Sequence, residues 1–219
     1  MATMDVTATE QATGEQRLKM TYEEFLRFGT DTTHAEWVDG EVTVFMPPND
    51  RHQDLLRFLA NLIDTFVQIL GLGKTRFAPY EMRVGLRGSG REPDFLFIAT
   101  THLDRLTAKR LEGPADLVIE VISDDSVHRD RVDKYDEYEA VGVQEYWIID
   151  PRPNRNRASF YQLNGEGRYQ EILADESGRY HSRVLPDFFL VVDWLWQTEL
   201  PMTLQALGEI VGPDKLGAR

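Results

Sequence analysis

An apolar strand with an acid in the middle of it, Leu117-Val118-Ile119-Glu120-Val121-Ile122, constrains the fold of this chain more than any other feature. The run is strand-sized and does not alternate, so it reads as a strand covered on both faces, the pattern of parallel sheets. A helix is predicted over residues 129–141, closed by Gly142. A second buried strand, Glu145-Tyr146-Trp147-Ile148-Ile149-Asp150, then ends at Pro151. Strand, helix and strand at this spacing form a crossover unit, which makes the two strands parallel neighbours and the chain an α/β protein.

Upstream, Thr21 opens a capping box with Glu24 and starts a short helix through Phe25, Leu26 and Phe28. Glu36-Trp37-Val38, Asp39-Gly40 and Glu41 to Phe45 read as a hairpin, because Asp-Gly accepts the positive φ angles of a type I′ turn; Pro47-Pro48 ends it. Over residues 51–70, Leu55, Leu56, Leu59, Leu62, Ile63, Phe66, Val67 and Leu70 fall at helical spacing, and Gly71 and Gly73 stop the helix. Strands are expected over 75–80 and 82–86, then a turn at Arg87-Gly88-Ser89-Gly90, then a strand from Pro93-Asp94 through Ile98. Beyond the crossover, antiparallel strands are expected over 158–163, 169–173 and 180–185. No repeat or composition break divides the chain, so one domain spans 20–195, with 1–19 a polar mobile leader and 196–219 a C-terminal tail.

The formal charge is 24 − 37 = −13 over 219 residues. Such a chain repels a polyanion at long range, which excludes an indiscriminate nucleic-acid coat protein and a basic membrane-surface binder. A local basic groove stays open, with Arg83, Arg87 and Arg91, Lys109-Arg110, and Arg152, Arg155 and Arg157 to line it or simply to be solvated. The absence of cysteine excludes disulfides, thiolate metal sites and cysteine nucleophiles, and fits a cytoplasmic setting. No secretory signal is seen and no apolar run approaches the ~20 residues of a membrane span, so no membrane partner is expected. No two histidines are spaced as a zinc pair, and Gly71-Leu72-Gly73 lacks the third glycine of a phosphate loop. Phe188, Phe189, Trp194 and Trp196 read as core or subunit interface, consistent with a homodimer.

The acid inside the apolar strand carries the chemistry. An unpaired buried carboxylate costs several kcal/mol, the scale of a domain's whole stability, so Glu120 needs a compensating group. Either a buried cation or a bound proton supplies it, or a divalent cation shared with a second carboxylate does. Asp94, 120 − 94 = 26 residues earlier and fixed behind Pro93, is the candidate second acid, although Pro-Asp is also a common turn dipeptide. Lys134, near the start of the crossover helix, can point back over the strand; it can equally form a surface pair with Asp130 one turn away. Two carboxylates on a hard cation bind a phosphodiester oxygen, and an ammonium beside them orients water or offsets developing charge.

Pro93-Asp94, the strand-embedded Glu120-Val121-Ile122-Ser123 and Lys134 together resemble the PD-(D/E)XK nuclease superfamily, and within it the restriction-endonuclease family called Uma-two. Further motifs of that family are matched by Thr21-Tyr22-Glu23-Glu24-Phe25, by Glu36-Trp37-Val38-Asp39-Gly40-Glu41, and by Pro47-Pro48 with His52. Lys134 with Tyr138, and the run from Gly142 to Pro151, match others. The resemblance implies a restriction-endonuclease-like mixed sheet flanked by helices, with a β-rich C-terminal extension. It implies an endonuclease acting on nucleic acid, DNA first, with Asp94, Glu120 and the Val121 carbonyl holding Mg²⁺ or Mn²⁺ and Lys134 beside them. A silent nuclease-fold binding module is the alternative. Glu36 is then a further metal or water-positioning group or an exposed hairpin acid, and His52 touches a phosphate or caps the long helix. The chain departs from the pattern in three places. Ile122 stands where the superfamily's lysine usually does, so Lys134 takes that part from the next helix. Arg91-Glu92 precede Pro93 where a glutamine is expected. Asp124-Asp125 replace the usual Pro-Ser, adding charge that either recruits a second cation or weakens the approach of DNA.

Overall fold

The computed structural model of the protein describes residues 16–28, 35–44, 49–84, 89–124, 126–212 and 215. Strand β1 (Gln16–Lys19) comes first and pairs with the hairpin beyond it, so the end of the expected leader is strand; residues 1–15 lie outside the described residues. Thr21 and Glu24 exchange the two hydrogen bonds of a capping box, but helix α1 (Tyr22–Phe25) stops short of Phe28. In the hairpin, β2 (Ala35–Val38) and β3 (Glu41–Val44) are joined by Asp39 at φ 49° and Gly40 at φ 90°, the left-handed pair that a type I′ turn requires. Pro47-Pro48 and the expected turn residues Arg87-Gly88 lie outside the described residues.

Helix α2 (Asp50–Leu70) is capped by Asn49, whose side chain accepts the His52 amide, and closed by Gly71 at φ 63°. Leu55, Leu59, Leu62, Ile63, Phe66 and Val67 are buried as their spacing predicts, and Leu70 is partly exposed. Truncating one such leucine to alanine costs about 2–5 kcal/mol. There follow β4 (Gly73–Phe77), β5 (Glu81–Val84), β6 (Ser89–Arg91), β7 (Phe95–Ala99), β8 (Arg110–Glu112) and β9 (Leu117–Val121). A π turn over Arg129–Asp133 leads into α3 (Lys134–Val141), then β10 (Glu145–Asp150), β11 (Arg157–Leu163), β12 (Tyr169–Glu171), β13 (Arg179–His181), β14 (Phe189–Val191) and α4 (Thr203–Val211).

The predicted crossover is present: β9 and β10 run parallel, with Ile148 opposite Glu120 and Leu117 opposite Glu145. They are the centre of a mixed sheet ordered β12-β11-β10-β9-β7-β4. A second mixed sheet, β1-β3-β2-β6-β5-β8, packs beside it, and β13-β14 form a small C-terminal sheet. Side chains of the central sheet alternate between two cores. Leu117, Ile119 and Val121 of β9 face α2, together with Phe188, Trp194 and the α4 residues Ala206 and Leu207, so the expected C-terminal tail contributes to the core. Val118 and Ile122 face the other way, onto Tyr138 of α3 and Met82, Val84 and Leu111 of the second sheet. Glu120 lies between these two along the strand and shares their face. Among the described residues no helix is long and apolar enough to cross a membrane.

Candidate active site

The second sheet, the central sheet, α2 and the crossover helix meet at the C-terminal end of β9. Asp94, held before β7 by Pro93, points its Oδ2 at the Val121 amide, which donates at 2.8 Å, and at His52 Nε2, 3.2 Å away. Its own amide donates to Glu120 Oε2 at 3.4 Å. The other Glu120 oxygen, Oε1, accepts from Lys134 Nζ at 2.8 Å and from the Tyr138 hydroxyl at 3.3 Å. Lys134 Nζ also reaches Glu36 Oε1 at 2.9 Å and lies 3.5 Å from Asp130 Oδ1. Glu36 is pinned in turn by Arg91 at 3.1 Å and by the Glu92 amide at 3.2 Å, and Arg91 bonds Glu137 at 2.6 Å. The structure thus brings Asp94, Glu120, Lys134, Glu36 and His52 together. Asp94 keeps 11% of its side chain exposed, against 3% for Glu120 and 2% for Glu36, so it is the acid of the three most open to a ligand from solvent.

Burial alone would raise every one of these carboxyls, and their neighbours decide the outcome. The His52 hydrogen bond and charge, the Val121 amide and Lys134 outweigh burial at Asp94 and hold its carboxyl below the usual range. Lys134, Arg91 and Arg129 do the same for Glu36. At Glu120, burial and the charges of Asp130, Asp94 and Glu36 outweigh Lys134, and its carboxyl is pushed well up. Burial also pushes up Asp130 against the pull of Lys134 and Arg129. Burial would lower His52, but Asp94, Asp130 and the Val121 carbonyl keep its imidazolium favoured. Burial and the charges of Glu36 and Glu81 push the Glu92 carboxyl up to about 8, against the pull of the Ala35 amide and Lys134.

Two sequence expectations change. His52 neither caps α2, which Asn49 does, nor stands open to a phosphate; its buried ring holds Asp94. Glu36 is a buried partner of Lys134, not an exposed hairpin acid. The basic residues expected to line a cleft are largely engaged: Arg91 is buried between Glu36 and Glu137, Arg83 stacks on the Tyr22 ring, Arg110 pairs with Glu112, Arg152 with Asp150 and Arg157 with Glu171. Arg87 lies outside the described residues. A groove of about 670 Å³ does open beside the site, between the hairpin and the start of the crossover helix, lined by Arg17, Arg91, His128 and Arg129 and by the acids Glu41, Asp133, Asp136 and Glu137. The sequence reading missed Asp130 as a member of the site. Its spacing to Lys134 was the signal, read there as a surface pair.

A family model for Uma2, described as "Putative restriction endonuclease", matches residues 22–193. The chain belongs to the Uma2 family. Among solved structures, a crystal structure of a putative nuclease belonging to DUF820 from Anabaena variabilis shares the fold, with a TM-score of 0.63 at 16% sequence identity over 81% of this chain and 97% of that one. No curated protein matches the sequence. Among the described residues of this Uma2 chain, no three His, Asp or Glu side chains converge on one point as a ready metal cage. The donor set nevertheless fits a hard cation. Asp94 and Glu120 offer two carboxylates at neighbouring strands, with the Asp94 amide donating to Glu120 Oε2, and Glu120 is burdened by like charge. Mg²⁺ characteristically takes only one or two protein carboxylates and draws the rest of its shell from water and substrate phosphate.

Proposed function

We propose that the protein is a Mg²⁺-dependent endonuclease that hydrolyses phosphodiester bonds of DNA, with Mn²⁺ as a substitute cation. The observation that carries this reading is the pairing of an ionised Asp94, the least enclosed of the three acids, with Glu120, whose excess negative surroundings a divalent cation relieves, beside a buried ammonium. Asp94 and Glu120, with the Val121 carbonyl, would hold the cation. When bound, it polarises the phosphoryl group and makes its water a stronger nucleophile. His52 keeps Asp94 ionised and fixed in direction. Lys134 keeps a positive charge where negative charge gathers on the phosphate oxygens, and Glu36 with Arg91 holds that ammonium in place. The groove along Arg17 and Arg129 gives the polymer its approach, and its mixed charges, in a chain of net charge −13, predict weak, salt-sensitive binding. Cutting both strands of a duplex takes two such sites, which makes a second copy of the chain the expected partner.

One observation favours a silent binding module instead: Lys134, Arg91 and the carboxylates around them already neutralise one another. The test is cleavage of plasmid and of single-stranded DNA with Mg²⁺ or Mn²⁺, together with calorimetric titration of the cation. Cation-dependent cutting that Asp94→Ala abolishes is expected. A wild-type protein that shows no cleavage and no cation binding leaves the silent module standing.

A further inference from the structure

The Lys134 ammonium has three N–H donors, and two acceptors lie at full hydrogen-bonding distance: Glu36 Oε1 at 2.9 Å and Glu120 Oε1 at 2.8 Å. A third, Asp130 Oδ1, stands 3.5 Å away. That oxygen is buried and makes no hydrogen bond; the Arg129 Nε nearest to it on the same turn is farther, at 3.8 Å. Buried carboxylate oxygens without a hydrogen bond are rare, and one aimed at a cation it does not grip needs a reason. The local backbone is unusual as well, because Asp130 sits in the π turn that leads into α3, and such turns inside helices gather at functional positions.

We propose that Asp130 is a positioning residue that receives the Lys134 ammonium when a divalent cation takes Glu120. This rests on the metal-dependent reading above. A cation on Glu120 and an ammonium on the same carboxylate repel each other, yet driving the ammonium out would take one of its two cations from Glu36 and leave buried Asp130 Oδ1 with the Arg129 Nε at 3.8 Å. Moving Lys134 from Glu120 towards Asp130 leaves it two carboxylates, Glu36 and Asp130, and frees Glu120. Glu36 is the pivot, fixed by Arg91 and the Glu92 amide. The travel is short, from 3.5 Å to a charge-assisted bond of about 2.8 Å. Asp130 itself touches neither substrate nor cation. It keeps the lysine inside the site and charged while the metal is bound.

The experiment is calorimetric titration of Mg²⁺ into four full-length proteins: wild type, Asp130→Asn, Lys134→Met and the double variant. Asp130→Asn is expected to weaken binding about tenfold and Lys134→Met to tighten it, while in the Lys134→Met background Asp130→Asn changes the affinity less than about twofold, since no ammonium remains to be received. A general charge effect would weaken binding equally in both backgrounds. That additive result overturns the inference and leaves the metal site standing. No Mg²⁺ or Mn²⁺ binding by the wild type overturns both the metal-dependent reading and the inference. Should a substitution unfold the protein, the wild type decides by nitrogen-15 NMR of the lysine ammonium groups. The Lys134 signal is expected to shift on adding Mg²⁺ while staying protected from solvent exchange; a signal unmoved at saturation, or lost to exchange, overturns the proposal.

Discussion

Glu120 and Glu145 lie on the neighbouring parallel strands β9 and β10, each among apolar residues, and each is almost wholly enclosed. Their surroundings compensate the buried carboxyl in opposite ways. Glu145 accepts five hydrogen bonds: from Trp147 Nε1 at 2.7 Å, the Tyr180 hydroxyl at 2.6 Å, Ser182 Oγ at 3.1 Å and the amides of Arg183 and Val184 at 2.9 and 3.2 Å. None of these donors is charged. Burial still pushes the Glu145 carboxyl up, with the donors pulling against it. Glu120 has an ammonium, one phenol and one long amide contact, in the company of three other acids. A nest of neutral donors is saturated and rigid; a crowded ionic cluster is imperfectly satisfied. Buried acids on adjacent strands are therefore distinguished by the charge of their donors, with Glu145 fastening the C-terminal extension to the sheet and Glu120 joined to the Lys134 ammonium of the candidate site.

The sharpest break in that comparison is Glu145→Ala. It strands five donors at once, including those of Tyr180 and Trp147 in the main core, and is expected to cost about 3–5 kcal/mol in urea unfolding. A loss below about 1 kcal/mol would mean that the nest does not fasten the extension. Glu120→Gln is the counterpart. It removes a like charge, and Lys134 retains Glu36 and Asp130, so stability is expected to stay within about 1 kcal/mol of wild type while cleavage falls on the order of 10³-fold. Parallel unfolding and cleavage assays check it, and a large loss of stability with cleavage retained would reverse the roles given to the two glutamates.

The same contrast explains what could be read in the sequence. Glu120 was legible because an acid inside an apolar strand demands a partner whatever the fold, whereas Asp94 and Lys134 were singled out by the resemblance of their motifs to the nuclease family's. The crossover was legible because a non-alternating strand, a helix and a second such strand have one common solution. Asp130 was not, since two charged residues four apart usually pair on a helix surface, and nothing in their types announces a π turn that buries both. Arg91 looked like a phosphate contact for want of the second sheet, whose strands β6 and β8 have three residues each, too few for periodicity to register. Glu145 shows the pattern of Glu120 and was passed over because its donors, Tyr180, Ser182 and two backbone amides, come from 35 to 39 residues further along the chain.

The smallest expected effect concerns His52, the one site residue whose ordinary pKa is near neutrality. Its imidazolium is favoured in the folded protein by Asp94, Asp130 and the Val121 carbonyl over the opposing effect of burial. A group raised in the folded state stabilises it fully below its unfolded pKa, about 6.5, and loses that contribution as pH rises through the higher folded value. Asp94 has the opposite sign: its lowered carboxyl stabilises above the unfolded carboxylate pKa and fails only in acid. Between the two limits both members are charged, so the stability that wild type holds over His52→Gln is expected to be about 1–2 kcal/mol near pH 6 and to shrink steadily towards pH 9. Glu145, with no titrating partner, gives no such slope over that interval beyond its own raised carboxyl. Unfolding free energies of the two proteins at intervals across that range supply the check. A difference that is flat or grows with pH would show that His52 holds Asp94 as a neutral ring.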